Sequence, residues 1–134
     1  MILGIGTDLA NIDRIAGTLD RFGDRFRHRV FTPTELAKAA RRRDEAGTLA
    51  KRWAAKEAVI KAWSGALYGA PPPIGRDELD WAEISVVCDA WGRPGVRLTG
   101  RVAAEVAAGL GPVVWHLSLS HDGPSAIAYC VLEG

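Results

Sequence analysis

The stretch from Ala50 to Trp63 holds the side chains of this chain that are best suited to chemistry. It is rich in alanine, its spacing predicts a helix, and Glu57 is its single carboxylate. Lys61 follows Glu57 at i+4 and Trp53 precedes it at i−4, so the three side chains form one stripe. A carboxylate is a hard ligand for a divalent cation, and an amine is a point charge for a phosphate. The stripe therefore suits a metal and phosphate site, although an exposed Glu–Lys pair worth about 0.3 kcal/mol is the alternative.

A second carboxylate lies near the N-terminus, where residues 1–9 predict a short buried strand that ends at Asp8. Its apolar residues are Ile2, Leu3 and Ile5, with Gly4 and Gly6 allowing close approach of another backbone. A buried aspartate must be paired, act as a cap or bind a metal, and capping the next helix is the alternative here. Two carboxylates on separate elements, without a cluster of His or Cys, favour Mg²⁺.

Length and composition indicate an ordinary globular protein. The chain has 134 residues, of which 48% are hydrophobic and 25% charged, so residues 1–134 are predicted to form one domain. No stretch approaches the roughly 18–20 apolar residues that span a membrane, and a basic segment typical of a secretory signal is missing. We therefore expect a cytoplasmic protein with no membrane contact. Cys88 and Cys130 are isolated and are predicted to be small buried hydrophobic residues.

The net charge is only +1, but the charges are unevenly placed. Residues 21–43 contain eight basic side chains against Asp24 and Glu35. This basic face predicts an acidic partner, and a solvated surface without a partner is the alternative. A small nucleic-acid-binding domain that uses the 21–43 face would also fit, but it has no use for Glu57 inside a helix.

The hydrophobic periodicity predicts an α+β fold, with a mainly antiparallel sheet packed on one side by helices. Thr32–Glu35 has the pattern of a capping box with proline at the first helical position. The predicted helices are residues 12–26, a second one from Pro33 to the cluster at 41–43, a third from 47–48 to 64–65, and 101–108. The predicted strands after the first are residues 84–88, 96–99, 115–120 and 126–132, with a turn at 91–94.

Four motifs follow one another along the chain in an order that resembles a known family. They are Gly4–Asp8, Phe31–Glu35, Arg52–Ala62 and Leu117–Asp122. Together they resemble holo-[acyl-carrier-protein] synthase, the small 4′-phosphopantetheinyl transferase of fatty-acid synthesis. The resemblance covers nearly the whole chain, and the central helix motif is the most specific of the four.

The resemblance implies transfer of the phosphopantetheine arm from coenzyme A to a serine of apo acyl carrier protein, releasing adenosine 3′,5′-bisphosphate. It implies that Asp8 and Glu57 are the ligands of Mg²⁺ and that Lys61 binds the pyrophosphate and assists the leaving group. These three are the expected catalytic residues. Glu57 could also accept the proton of the serine, although a carboxylate bound to metal is a poor base.

The resemblance also implies which residues contact coenzyme A, and each has a simpler alternative. His121 is expected at the nucleotide phosphates, or it caps its own turn. Arg52 matches a nucleotide-binding position, or it is an exposed helix arginine. Gly92 and Pro94 match a turn near the coenzyme, or they only form a hairpin. Lys56 lies off the Glu57 face and is either structural or in contact with substrate.

The last implications concern partners. Arg14, Arg21, Arg25 and Arg29 are expected to receive the acidic carrier protein, because complementary charge steers such encounters. Small members of the family are homotrimers with active sites at subunit interfaces, so a homotrimer is expected and nucleic acid is not. A metal-dependent phosphohydrolase could use the same acid and amine groups, but it would need more carboxylates or histidines to hold two metals.

Overall fold

The computed structural model describes residues 1–134 and has ten helices and strands with two short 3₁₀ turns. In chain order these are β1 (Ile2–Asn11), α1 (Ile12–Phe22), α2 (Asp24–Val30), α3 (Pro33–Ala40), α4 (Glu45–Ala66), β2 (Ile84–Cys88), β3 (Pro94–Leu98), α5 (Gly100–Leu110), β4 (Val114–Asp122) and β5 (Ser125–Glu133). The 3₁₀ turns are Arg76–Glu78 and Trp81–Glu83.

All strand pairs are antiparallel, and they form two sheets rather than the single sheet expected. One sheet has the order β1-β5-β4, and the other is the β2–β3 hairpin. Helix α4 covers one face of the three-stranded sheet. The predicted α+β class with helices on one side of an antiparallel sheet is confirmed.

The contact between β1 and α4 depends on two glycines of the first strand. A Cβ atom on Gly4 would lie 1.9 Å from the carbonyl oxygen of Ala62. A Cβ atom on Gly6 would lie 1.9 Å from the carbonyl oxygen of Ala58. Only glycine therefore lets the strand backbone lie directly against the helix backbone.

The alternation of side chains along β1 shows that one expectation about this strand is wrong. Successive side chains of a strand point to opposite faces, so Gly4 and Gly6 face the helix and Ile5 faces away. Ile2 is 53% and Ile5 is 55% exposed, and the prediction that they are buried is wrong. Asp8 continues the helix-facing set, because it lies two residues beyond Gly6 in the same strand.

The helix predicted for residues 12–26 is two helices. Gly23 has φ +55°, ends α1 by donating its backbone N–H to the carbonyl of Leu19, and precedes α2. Positive φ interrupts an α-helix, and glycine adopts it without steric cost. The N-cap of α1 is Asn11, whose side chain accepts from the backbone N–H of Arg14. The capping role considered for Asp8 therefore belongs to Asn11.

The capping box at the start of α3 is confirmed, and it leads to a buried ion pair. Thr32 accepts from the backbone N–H of Glu35, and Glu35 accepts from that of Thr32. The Glu35 carboxylate also lies 2.9 Å from Nζ of Lys56, and both side chains are almost fully buried. Lys56 donates further to the carbonyls of Trp81 and Ile84, so it is structural. Burial lowers the pKa of Lys56, and the Glu35 charge opposes that shift.

The ends of the two central helices differ slightly from the prediction. Helix α3 ends at Ala40, before the arginine cluster, and α4 begins at Glu45. Asp44 caps α4 by accepting from the backbone N–H of Gly47. None of the helices has the length and apolar character needed to cross a membrane.

Replacing Gly6 by alanine tests the close contact between β1 and α4. We expect Gly6→Ala to lower the free energy of unfolding by at least about 2 kcal/mol, because the new Cβ atom must push the helix backbone away. Gly17→Ala is the matched control, since its Cβ atom meets nothing within 4 Å inside α1. Gly17→Ala should raise the free energy of unfolding by about 1 kcal/mol. Chemical denaturation of both variants measures this, and equal stabilities would contradict the packing argument.

Candidate active site

Asp8 and Lys61 meet where β1 crosses α4. Nζ of Lys61 donates to a carboxylate oxygen of Asp8 at 3.1 Å and to the carbonyl of Thr7 at 2.9 Å. The Asp8 side chain is 17% exposed, whereas that of Lys61 is 52% exposed. The lysine therefore has its amine at the surface beside a largely enclosed carboxylate, and it can still reach a bound anion.

Glu57 lies one turn before Lys61 on α4, and its side chain is 14% exposed. Burial raises the pKa of the Glu57 carboxyl, and the negative charge of Asp8 raises it further. Arg76 and Lys61 act in the opposite direction, with the guanidinium of Arg76 at 3.8 Å from the carboxylate. Strand β1 and helix α4 thus bring together Asp8, Glu57 and Lys61, the three expected catalytic residues.

The donor set fits a hard divalent cation. The structure has no group of three or more His, Cys, Asp or Glu side chains that could hold a metal. It has two carboxylates, Asp8 and Glu57, close enough for their charges to repel. Mg²⁺ is commonly held by one or two carboxylates together with water and phosphate oxygens. A cation between them would remove the repulsion.

An apolar cavity of about 310 Å³ lies beside α4, and its wall includes Arg76, the ion-pair partner of Glu57. Ile60, Trp63 and Trp81 also contribute to this wall. The ring nitrogen of Trp63 is buried without a hydrogen-bond partner, which leaves one donor of α4 unpaired. Arg76 could not be identified from the sequence, because only the loop after α4 brings it back to the helix.

A second cavity, of about 240 Å³, has only polar and glycine residues in its wall. His121 at the end of β4 shares it with Lys51, Arg42 and Arg43 near the start of α4. Four potentially cationic side chains around one hollow suit a phosphate group. His121 was expected at a phosphate site from the sequence. Lys51, Arg42 and Arg43 were not, although the cluster of arginines at 41–43 is visible in the sequence.

Arg52 is buried rather than exposed, with 6% of its surface accessible. Its guanidinium lies 3.8 Å from the sulfur of Cys88, and its Nε atom has no hydrogen-bond partner. Cys88 pairs in register with Pro94, and Gly92 turns the hairpin with φ +82°. Arg52, Gly92 and Pro94 therefore belong to one region around the β2–β3 hairpin.

The four arginines expected to bind a carrier lie on α1 and α2 and are all exposed. They are Arg14, Arg21, Arg25 and Arg29. Phe22 is 49% exposed among them, with the guanidinium of Arg21 at 5.4 Å from its ring centre. Arg27 differs, because it forms an ion pair with Glu45 at 2.8 Å. The surface combines free cations with one aromatic ring.

Comparison with known proteins identifies the family. The sequence profile of the 4′-phosphopantetheinyl transferase superfamily matches residues 4–130. The chain belongs to this superfamily. Among its relatives, the holo-[acyl-carrier-protein] synthase of Cereibacter sphaeroides is 53% identical over 136 residues, which cover 99% of this chain and 93% of that protein.

Solved structures agree in fold. The ACPS–CoA complex of Chronobacterium ammoniagenes superimposes with a TM-score of 0.91 and 47% identity, covering 97% of this chain and 96% of that one. The acyl carrier protein synthase of Mycobacterium tuberculosis gives a TM-score of 0.79 and 42% identity, covering 100% and 99%. The resemblance inferred from the four motifs is confirmed, and the chain is an enzyme that transfers a phosphorus-containing group. These relatives give no support to a nucleic-acid-binding domain.

The ionisation of Glu57 tests the electrostatics of the site directly. We expect its carboxyl to titrate above the ordinary value of 4.5, because burial and the Asp8 charge both disfavour the ionised form. Asp8→Asn should bring the pKa of Glu57 down, since it removes the like charge. Side-chain carboxyl NMR across a pH series measures both. A pKa at or below 4.5, or one unchanged by Asp8→Asn, would contradict this description.

Proposed function

We propose that the chain is a Mg²⁺-dependent holo-[acyl-carrier-protein] synthase, in which residues 1–134 form one transferase domain. It transfers 4′-phosphopantetheine from coenzyme A to a serine of apo acyl carrier protein and releases adenosine 3′,5′-bisphosphate. The observation that carries this proposal is the meeting of Asp8, Glu57 and Lys61 between β1 and α4. The relative described as a CoA complex, at 47% identity, supports the choice of donor.

The roles of these residues follow from the charge that the reaction moves. The serine oxygen forms a bond to the phosphorus that bears the arm, and the bond from that phosphorus to the bridging oxygen breaks. Asp8 and Glu57 would hold Mg²⁺, which neutralises charge on the pyrophosphate when bound. Lys61 lies against Asp8 with its amine exposed, where it can stabilise the departing phosphate. Glu57 is a poor base while it holds the metal, so the serine proton would leave through a water molecule beside it to solvent.

The two cavities match different parts of the coenzyme, one of them apolar and the other charged. The apolar cavity whose wall includes Arg76 suits the pantetheine arm, which Ile60, Trp63 and Trp81 would contact. The polar cavity suits a nucleotide phosphate, which His121 and Lys51 would contact. Arg52 and the hairpin at Gly92 and Pro94 are the expected neighbours of the rest of the nucleotide.

The carrier protein is proposed to bind at Arg14, Arg21, Arg25 and Arg29. Carrier proteins are strongly acidic, so this surface would steer their encounter and fix their orientation. The exposed ring of Phe22 adds an apolar contact among these cations. We place the reaction in the cytoplasm, where such carriers and coenzyme A meet.

A homotrimer is proposed from the outer face of the three-stranded sheet. This face carries five large apolar side chains that are between 42% (Ile127) and 68% (Leu9) exposed. They are Ile5, Leu9, Val114, Ile127 and Tyr129. A contiguous apolar surface of this kind marks an interface, and copies of the chain would cover it. The active sites are then proposed to lie at subunit interfaces.

The decisive experiment is mass spectrometry of an apo acyl carrier protein incubated with the protein, coenzyme A and Mg²⁺. We expect the carrier to gain one phosphopantetheine arm, and EDTA to prevent it. Asp8→Ala, Glu57→Ala and Lys61→Ala should each slow transfer about 100-fold or more. Glu105→Ala is the control, because it removes a helical carboxylate that has no ion pair. A folded protein that modifies none of several apo carriers would refute the proposal.

The trimer has its own test. Leu9→Asp places a charge on the apolar sheet face, and we expect it to convert the trimer into monomers as measured by light scattering after size exclusion. Tyr68→Ser is the control, because Tyr68 is 97% exposed outside that face. A wild-type chain that elutes as a monomer, or a Leu9→Asp variant that remains trimeric, would exclude this interface.

A further inference from the structure

Arg76, at the start of the 3₁₀ turn Arg76–Glu78, contributes to the wall of the apolar cavity and forms an ion pair with Glu57. Its side chain is 83% exposed, and Nη2 is 3.8 Å from a carboxylate oxygen of Glu57. That separation is an ion pair without a hydrogen bond, so the guanidinium can leave at little cost. The residue belongs to none of the four motifs and was not expected at the site.

The backbone that carries Arg76 is held in place although its side chain is free. Arg101 of α5 forms an ion pair with Glu78 at 3.0 Å and donates to the carbonyl of Pro73 at 3.5 Å. The backbone N–H of Glu78 donates to the carbonyl of Gly75 at 2.9 Å. The buried side chain of Ile74 and the Leu79 side chain packed against the core also anchor the backbone on both sides of Arg76, so that a rotation of the side chain is enough to move the guanidinium.

The charges of the site explain what that movement would do. Asp8 has Lys61 as its hydrogen-bonded cation, whereas the nearest cation to Glu57 is Arg76. Without a divalent cation, the two negative charges of Asp8 and Glu57 are balanced by the two positive charges of Lys61 and Arg76. A divalent cation between the acids leaves both basic groups in excess, and the incoming pyrophosphate is the anion that can use them.

We propose that Arg76 exchanges partners during the catalytic cycle, from Glu57 in the free enzyme to the pyrophosphate of bound coenzyme A. It is thus a coenzyme-binding residue that competes with the divalent cation before the coenzyme arrives and strengthens coenzyme binding afterwards. This inference rests on the proposed function. It predicts that loss of Arg76 changes the affinities for metal and coenzyme in opposite directions.

The test measures two affinities in the trimeric, folded protein without any carrier. Mn²⁺ is the metal probe, measured alone by electron paramagnetic resonance, and coenzyme A is then measured by calorimetry at saturating Mn²⁺. Arg76→Ala should bind Mn²⁺ about threefold more tightly, because a competing cation is gone. The same variant should bind coenzyme A about tenfold more weakly, because a charge-assisted contact is lost. Arg76→Lys should restore part of both effects.

Arg97→Ala is the matched control, since Arg97 is an exposed arginine of β3 that forms no ion pair. It removes the same charge from the protein and should leave both affinities unchanged. If Arg76→Ala weakens both ligands, the residue only supports the fold of the loop, and the inference is overturned. Unchanged affinities overturn it as well. A wild-type protein that binds neither Mn²⁺ nor coenzyme A would instead refute the proposed function.

Discussion

The close approach of β1 to α4 is the constraint on which the rest of the structure depends. Gly4 and Gly6 bring the strand backbone against the helix, and no other side chain fits there. The next helix-facing residue of the strand is Asp8, which therefore reaches Lys61 directly. A larger residue at either glycine would separate the acid from the lysine by roughly the width of a methyl group. The contact between Asp8 and Lys61 and the packing of the core therefore depend on the same approach of β1 to α4.

The orientation of α4 about its own axis is the second condition. Adjacent residues of an α-helix differ by about 100° in direction, so Lys56 and Glu57 face different surroundings. Lys56 is buried against Glu35 and two backbone carbonyls, which fixes the rotation of the helix at this turn. Removing one partner of such a buried pair costs about 3–5 kcal/mol, because the other charge is left without compensation. The pair therefore holds Glu57 toward the site without touching it.

The sequence predicted the elements with local signals well, and the tertiary placement less so. The capping box at Thr32–Glu35 and the helix around Glu57 depend on neighbouring residues, and both were predicted correctly. The break at Gly23 was missed, because the apolar spacing continues through it and hides one positive φ. The exposure of Ile5 was missed for another reason. A strand with Gly4 and Gly6 on one face and Ile5 on the other does not reveal which face meets the helix, because the sequence does not show that the helix leaves room only for glycine.

The groups that the sequence did not reveal are those joined to the site by loops. Asp8, Glu57 and Lys61 could be named because α4 carries two of them one turn apart and Asp8 is the single acid of the first strand. Arg76 comes ten residues after the end of α4 and returns to it through a loop that Ile74 and Leu79 anchor to the core. No periodicity links Arg76 to Glu57. Its exposed, weakly held guanidinium nevertheless completes the charge balance of the two acids. Under the proposed function, a site whose charges balance without metal and that carries excess positive charge with metal would favour binding the metal and the pyrophosphate together.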